Sequence, residues 1–296
     1  MFRKISVKVA VHVNVVLFLV ITFGTILLVN KQSSNLDEKY KEQGKLISVF
    51  GAKAVSRLIE EAIDNGVLSV KDAFDTEYSP IPNSDPPKYH TKYDVYMDKA
   101  LLSLLDEMMK NPDAVYAVAA DNNGYVPTHD SKYQKPITGD KEKDRDGNRT
   151  KRIFNDSVGL TAAKNVQIGF VQIYTRDTGE TMWDVATPIF VKGKQWGNFR
   201  LGLSITSLQK VKKDLLLQLT GIMVSILLIS TVAIIYTINT ILKPLTVLTQ
   251  IASKMADGDV NEKVIVSSRD EIGDLAEVLE RMRISLKSAM ERLMKK

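Results

Sequence analysis

The sequence predicts a membrane protein with two transmembrane α-helices, an α+β domain between them and a C-terminal helical coiled coil. Three observations carry this. Two stretches contain no charged residue: 9–30, VAVHVNVVLFLVITFGTILLVN, and 215–242, LLLQLTGIMVSILLISTVAIIYTINTIL. Between them, apolar residues recur first at helical steps and then at every second position. Beyond the second stretch they recur in heptads. At 1.5 Å per residue the first stretch spans roughly 33 Å and the second about 42 Å, against a bilayer core of about 30 Å. The second must therefore tilt or run past the hydrocarbon. A secretory h-region is usually about 7–15 residues long and ends at a small-residue cleavage site. The first stretch is longer and exits through Asn30, Lys31 and Gln32, so it reads as an uncleaved anchor.

Net charge is +5 over 296 residues, and its location matters more than its size. Residues 31–214 carry 27 Lys/Arg against 26 Asp/Glu, and the tail beyond 242 carries 10 against 9. The remaining excess is Arg3, Lys4 and Lys8. The basic balance is a short N-terminal tail, not a nucleic-acid face, and no nucleic-acid partner is expected. Positive residues before a first span favour a cytoplasmic N-terminus, and a second span returns the C-terminus to the same side. The expected organisation is a cytoplasmic tail 1–8, a span 9–30, an extracytoplasmic domain 31–214 and a span 215–242. A helical module 243–290 and a coiled-coil stub 291–296 follow. With no cysteine, disulfides, thiolate chemistry, Cys-ligated zinc and iron–sulfur clusters are excluded. A domain of this size can rest on its core alone.

The elements follow in order. Leu36, Tyr40, Ile47, Ala54, Leu58 and Ala62 lie on one helix face and predict a helix over 31–75. YSPIPNSDPPKYHTK (78–92), with four prolines, breaks it. A second helix is expected over 93–110. The period then becomes two. AVYAVAAD (114–121) reads as a strand, Asn122-Asn123-Gly124 as a turn and YVPTH as a short return strand. Residues 130–165 are polar and read as an irregular insertion. VQIGFVQIYTRD (166–177), ETMWDVATPIFV (180–191) and QWGNFRLGLSI (195–205) predict three more strands, with turns at Thr178-Gly179 and Gly193-Lys194. The sum is a five-stranded antiparallel sheet with helices beside it.

This order resembles the extracytoplasmic PAS-like sensor domains called Cache domains, in single-module form. The residues that carry the likeness are Asp121, Gly124, Val126 and His129, with NRTKRIFNDSVGL (148–160) and DTGETMWDVATPIFVKGKQWGNFRLG (177–202). These are similar to the sensor regions of bacterial chemoreceptors. The resemblance implies a small organic acid or amino acid as ligand. Some relatives carry a c-type haem on C-x-x-C-H, which a cysteine-free chain lacks, so no cofactor is expected.

No catalytic constellation is visible. The three histidines, His12, His90 and His129, are scattered, and no G-x-S-x-G, Walker or zinc motif occurs. No enzyme activity and no metal site are expected. The candidate ligand cluster is Arg149, Lys151 and Arg152, with His129 and Tyr133 upstream. Three cations within four residues repel unless water or an anion screens them, and arginine forks suit carboxylates. The alternative is a solvated loop whose charges neutralise one another. On the sheet, Tyr174, Trp183, Asp184 and Arg200 are further candidates. Trp183 and Asp184 face opposite sides of their strand, so at most one can join a pocket. His12 and Asn14, polar groups in the first span, either meet a partner helix or, for His12, snorkel to the headgroups.

In the tail, Ile241, Leu245, Leu248, Ala252 and Met255 form one heptad seam. Ile272, Leu275, Leu279, Met282, Leu286, Ala289 and Leu293 form another. Gly258 breaks the first helix, and Val260 and Val264 lie on the extended connector. Ser268 and Glu271 have capping-box spacing. Pro244 sits where a helix restart would make its missing amide harmless. Two such helices from each of two copies would make a parallel four-helix bundle. The pattern resembles the HAMP signalling module over 241–290, with Pro244, Gly258, Glu271 and Gly273 at its marked positions. The seam reaches Leu293, close to the last residue, so the output is expected from a cytoplasmic signalling partner or a missing downstream domain.

The expectation is a multi-pass receptor of the bacterial inner membrane, acting as a homodimer in membrane lipid, sensing a small-molecule ligand and relaying it through the HAMP-like tail. It resembles the N-terminal half of a methyl-accepting chemotaxis receptor or sensor kinase. The alternative is a stand-alone membrane adaptor that modulates separate receptors or kinases without a ligand of its own.

Overall fold

The structure is a computed structural model that describes residues 5–265 and 270–294. The chain divides into two compact units, one formed by Val29–Leu216 and one by the segments on either side.

In the first unit, helix α1 (Ile5–Asp64) lays Gly44, Ser48, Gly51, Val55 and Ile59 toward a sheet. A Cβ on Gly51 would stand 2.4 Å from the Phe199 ring, and one on Gly44 would stand 2.6 Å from a Leu203 methyl. Glycine is what lets helix and sheet come this close. The Ser48 hydroxyl meets Thr187 Oγ1 at 2.7 Å in the same interface. Helix α1 ends at Asp64 rather than near 75, because Gly66 takes φ +70° and stops the turn. Ser69 and Asp72 then form a capping box that starts the single turn α2 (Val70–Ala73). The proline-rich segment holds a minimal pair, β1 (Ser79–Pro80) with β2 (Tyr89–His90), before α3 (Asp94–Met108).

The main sheet has four strands, not five: β3 (Ala114–Asp121), β6 (Phe170–Thr175), β7 (Thr181–Val191) and β8 (Lys194–Ser204), in the order β3-β8-β7-β6, all antiparallel. The return strand β4 (Tyr125–Val126) pairs instead with β5 (Arg152–Ile153). At Gly124, φ +81°, the chain turns out of the sheet and passes so close to Phe154 that a Cβ would meet its carbonyl oxygen at 2.4 Å. The insertion also holds α4 (Lys141–Gly147) and α5 (Ser157–Lys164), each started by an Asp carboxylate on two backbone amides. The β7–β8 turn is Lys192-Gly193, with φ +49° and +80°, one residue earlier than the spacing suggests. Two positive φ values are what a tight twisted hairpin needs.

Strand alternation separates two apolar layers. Ala117, Ala119, Val185, Phe199, Leu201 and Leu203 pack with α1 and α3. Tyr116, Val118, Ala120, Tyr174 and Met182 face the other way, under the insertion.

In the second unit, α6 (Ile205–Ala256) runs through Pro244 without the expected restart. Thr231 Oγ1 donates to Asn14 Oδ1 at 2.9 Å, so Asn14 does meet a partner helix; His12 Nδ1 instead lies 2.7 Å from the Lys8 carbonyl. Gly258, φ +91°, closes α6, and the Asp259 amide reaches back to Lys254 O at 3.0 Å. On α7 (Glu271–Met294), Ser268 of the expected capping box lies outside the described residues. The Asp270 carboxylate accepts from the amides of Ile272 and Gly273. Arg283 donates to the Val260 carbonyl at 2.8 Å, and Glu280 accepts the Val264 amide at 2.9 Å, which fastens the connector to α7. Leu248, Ile251, Met255, Val260 and Ala276 are buried within one chain, whereas Leu275, Met282 and Leu286 of the second seam are exposed.

Candidate functional site

On the sheet face away from α1, a narrow pocket is lined by Tyr116, Val118, Val126, His129, Arg149, Phe154, Tyr174, Arg176 and Arg200. Pair register explains the convergence. Val118 lies opposite Arg200, and Tyr116 and Asp184 lie opposite Gly202, so these side chains share one face. Gly202 makes room for the Tyr116 ring, which a Cβ there would meet at 2.4 Å.

Arg200 is fixed by a buried carboxylate. Its Nε lies 3.2 and 3.1 Å from the two Asp184 oxygens and its Nη2 2.7 Å from Oδ2. Asp184 also accepts from Tyr116 Oη at 2.7 Å and Gln172 Nε2 at 2.8 Å. Burial pulls the Arg200 guanidinium down, but Asp184 and Tyr116 more than offset it, so it stays charged. Arg176 donates to Tyr133 Oη at 2.8 Å and sits 4.6 Å from that ring's centroid. Arg149 donates to Asp177 at 2.8 Å and lies 5.0 Å from the Phe154 ring centroid. Burial pushes Asp177 up, but Arg149 and Arg152 outweigh it and hold the carboxyl below its usual range. His129 is buried, with Nδ1 2.8 Å from Asp130 Oδ2. Burial lowers its pKa against the pull of Asp130, so it is neutral at pH 7.

Of the residues singled out from the sequence, His129, Arg149, Tyr174 and Arg200 line the pocket, and Tyr133 stands behind Arg176. Asp184 forms the base through Arg200. Arg152 lies at the edge, 5.0 Å from the Phe154 ring centroid, with Nη1 on the Arg145 carbonyl. Lys151 turns away at φ +60° and binds Asp94 at 3.0 Å and Asp98 at 2.7 Å. Trp183 is on the opposite face, beneath Lys41 at 4.9 Å. Sequence reading missed Arg176 and Tyr116. Arg176 had a signal, since it lies two positions beyond Tyr174 and shares its face.

Residues 236–288 match the HAMP domain family, so the chain carries a HAMP domain where the heptad tail begins. No curated protein matches the chain. Among solved structures, it is similar to the ligand-binding domain of Campylobacter jejuni chemoreceptor Tlp3 in complex with 4-methylisoleucine, at 15% identity and TM-score 0.35, covering 66% of this chain and 62% of that one. The sensor domain of the Vibrio cholerae histidine kinase DctB matches at 12% and TM-score 0.30, covering 62% and 58%. The ligand-binding domain of Pseudomonas fluorescens chemoreceptor CtaA in complex with L-serine matches at 16% and TM-score 0.27, covering 59% and 62%. The chain thus spans less than two thirds of the length of these structures. Two apolar helices of spanning length, a sheet-containing domain between them and a HAMP domain define a class. It is that of a membrane signal-transduction protein with a HAMP domain.

Proposed function

We propose that the domain senses a small extracytoplasmic carboxylate in the arginine pocket and passes the change through HAMP in a homodimer. The observation that carries the reading is the convergence of Arg149, Arg176 and Arg200 on one pocket whose lining holds no Asp or Glu. Asp184, Asp177 and Glu180 pair with these arginines from behind or beside. Each guanidinium has five N–H donors, and the protein uses only some of them. The unused donors suit a bidentate carboxylate. An amino acid would also bring an ammonium, for which the lining offers no counter-charge, so a plain mono- or dicarboxylate fits better. Tyr116, Tyr174 and Phe154 supply an apolar wall for its carbon skeleton. The exposed seam residues Leu275, Met282 and Leu286 suit a second copy, whose helices would cover them. The positive N-terminal tail supports a cytoplasmic location for both termini.

The test is a melting screen of the full chain in detergent with acetate, pyruvate, malonate and succinate, alongside serine and valine. A ligand bound to the native state raises the melting temperature by mass action. The reading predicts a shift with at least one plain carboxylate, abolished by Arg149→Ala. A panel that moves nothing favours the adaptor, and a shift with the amino acids alone overturns the choice of ligand class.

A further inference from the structure

Lys88 precedes β2 and is buried, and it is distant in sequence from the strands that build the pocket. Its ammonium donates to the side-chain oxygen of Asn148 and to the backbone carbonyl of Thr150 at 2.7 Å. Those residues flank Arg149 on either side. Among the described residues no carboxylate lies within ion-pairing distance of Lys88. A buried ammonium without an ion pair is costly, and here it is spent on two neutral acceptors at a single loop. The same loop is tied from the other side, where Arg149 N donates to Tyr133 O at 2.7 Å and Asn148 Nδ2 to Lys135 O at 2.7 Å. Arg149 therefore hangs between two anchored neighbours.

We infer that Lys88 is a positioning residue for Arg149 and, through it, a determinant of how tightly the pocket holds an anion; this rests on the carboxylate reading above. The charged groups around Lys88 are the cations Arg152 and Lys151 and the carboxylate of Asp144. Burial first, then the two cations, lower its pKa to about 8, with Asp144 opposing. Above that pH the amine loses its positive charge and one N–H donor, which weakens its hold on the Asn148 and Thr150 oxygens. Anion affinity falls accordingly. The other titratable groups of the pocket lie well away from this window: His129 is shifted below 6.5, and Tyr116 and Tyr174 above 10.

The experiment uses the full chain in detergent, with succinate and acetate as probes. Lys88→Met removes the donor and should weaken binding about tenfold, the value of one charge-assisted hydrogen bond. Because Lys88 acts through Arg149, adding Lys88→Met to Arg149→Ala should cost nothing further. Native affinity should fall between pH 7 and pH 9, and Lys88→Arg should flatten that step. Native-like binding by Lys88→Met, or additive losses in the double variant, overturns the proposal. If the native chain binds neither probe, hydrogen exchange decides on Lys88, separately from the carboxylate reading. Protection of the Arg149 amide should drop about tenfold in Lys88→Met and return in Lys88→Arg, with β7 and β8 unchanged. Unchanged protection at Arg149 overturns the inference. So does a general loss including β7 and β8, because Lys88 would then hold the fold and not this loop.

Discussion

Replacing Arg200 with Met should separate what the pocket needs for folding from what it needs for binding. The Arg200 and Asp184 side chains are 4% and 0% exposed. Removing the guanidinium leaves Asp184 as a buried charge with only Tyr116 and Gln172 to satisfy it. Breaking a buried pair on one side costs about 3–5 kcal/mol. For a domain of this size each kcal/mol is worth about 2–4 °C, so the melting temperature should fall by about 6–20 °C. Arg149→Ala differs, because its partner Asp177 is 36% exposed and water can take over. Arg149 itself is buried, but no buried carboxylate is stranded by its loss, so the melting temperature should fall less than in Arg200→Met. The anion affinity of Arg149→Ala should nonetheless drop about 10- to 150-fold with the loss of a charge-assisted hydrogen bond. Both tryptophans, Trp183 and Trp196, lie in this domain, so their fluorescence follows its melting alone. Adding Asp184→Asn to Arg200→Met removes the stranded charge while keeping an acceptor for Tyr116, and should recover at least half the loss. A native-like melting temperature for Arg200→Met, or a further loss in the double variant, would refute the reasoning.

The other predictions are narrower. Gly51→Ala places a methyl against the buried Phe199 ring and should cost about 1–3 kcal/mol, read as a lower denaturant midpoint. Gly44→Ala meets a buried Leu203 methyl at 2.6 Å and Val185 Cγ2 at 3.0 Å, which offsets the roughly 1 kcal/mol of helix propensity it gains, so it should lower the midpoint less than Gly51→Ala. His129 is held neutral with a pKa below 6.5, so the unfolded chain binds its proton first as pH falls. Stability present above pH 6.5 should decline from there toward pH 5, and His129→Gln should flatten that slope in chemical denaturation. In the second unit, Asn14→Leu removes an interhelical hydrogen bond worth about 0.6 kcal/mol. It should lower disulfide formation between cysteines placed at Thr22 and Met223, whose native side chains lie 3.9 Å apart, by about threefold. An unchanged rate would deny that contact any role in span register.

The parts legible in the sequence are those with a strong period. Charge-free runs marked the two helices long and apolar enough to cross a membrane, and heptads marked the tail that matches HAMP. Alternation located β3, β7 and β8 to within a residue or two. What the period could not reveal was partner choice. YVPTH alternates like a return strand, yet Gly124 steers it to Arg152–Ile153, and only the approach to Phe154 explains why. Helix α1 stops at Asp64 and not near 75 because Gly66 takes φ +70°, which the apolar period through Ala62 does not reveal. In the pocket, charge and aromatic character pointed to Arg149, Tyr174 and Arg200. Local sequence could not say that Lys151 leaves toward Asp94 and Asp98, because that depends on a left-handed residue and on a helix more than forty positions away. The Lys88 contact is equally non-local.

The central claim is that pocket occupancy changes the packing of HAMP helices across a two-fold axis. It is tested most directly by disulfide scanning in membranes, since the chain has no cysteine to interfere. Cysteines at 248, 275, 279 and 286 should cross-link between copies far faster than cysteines at 249, 277 and 284. Adding the carboxylate that raises the melting temperature should change the rates at 275, 279 and 286, and Arg149→Ala should abolish that change. Cross-linking without heptad periodicity, or periodic rates that the carboxylate leaves untouched, would contradict the account.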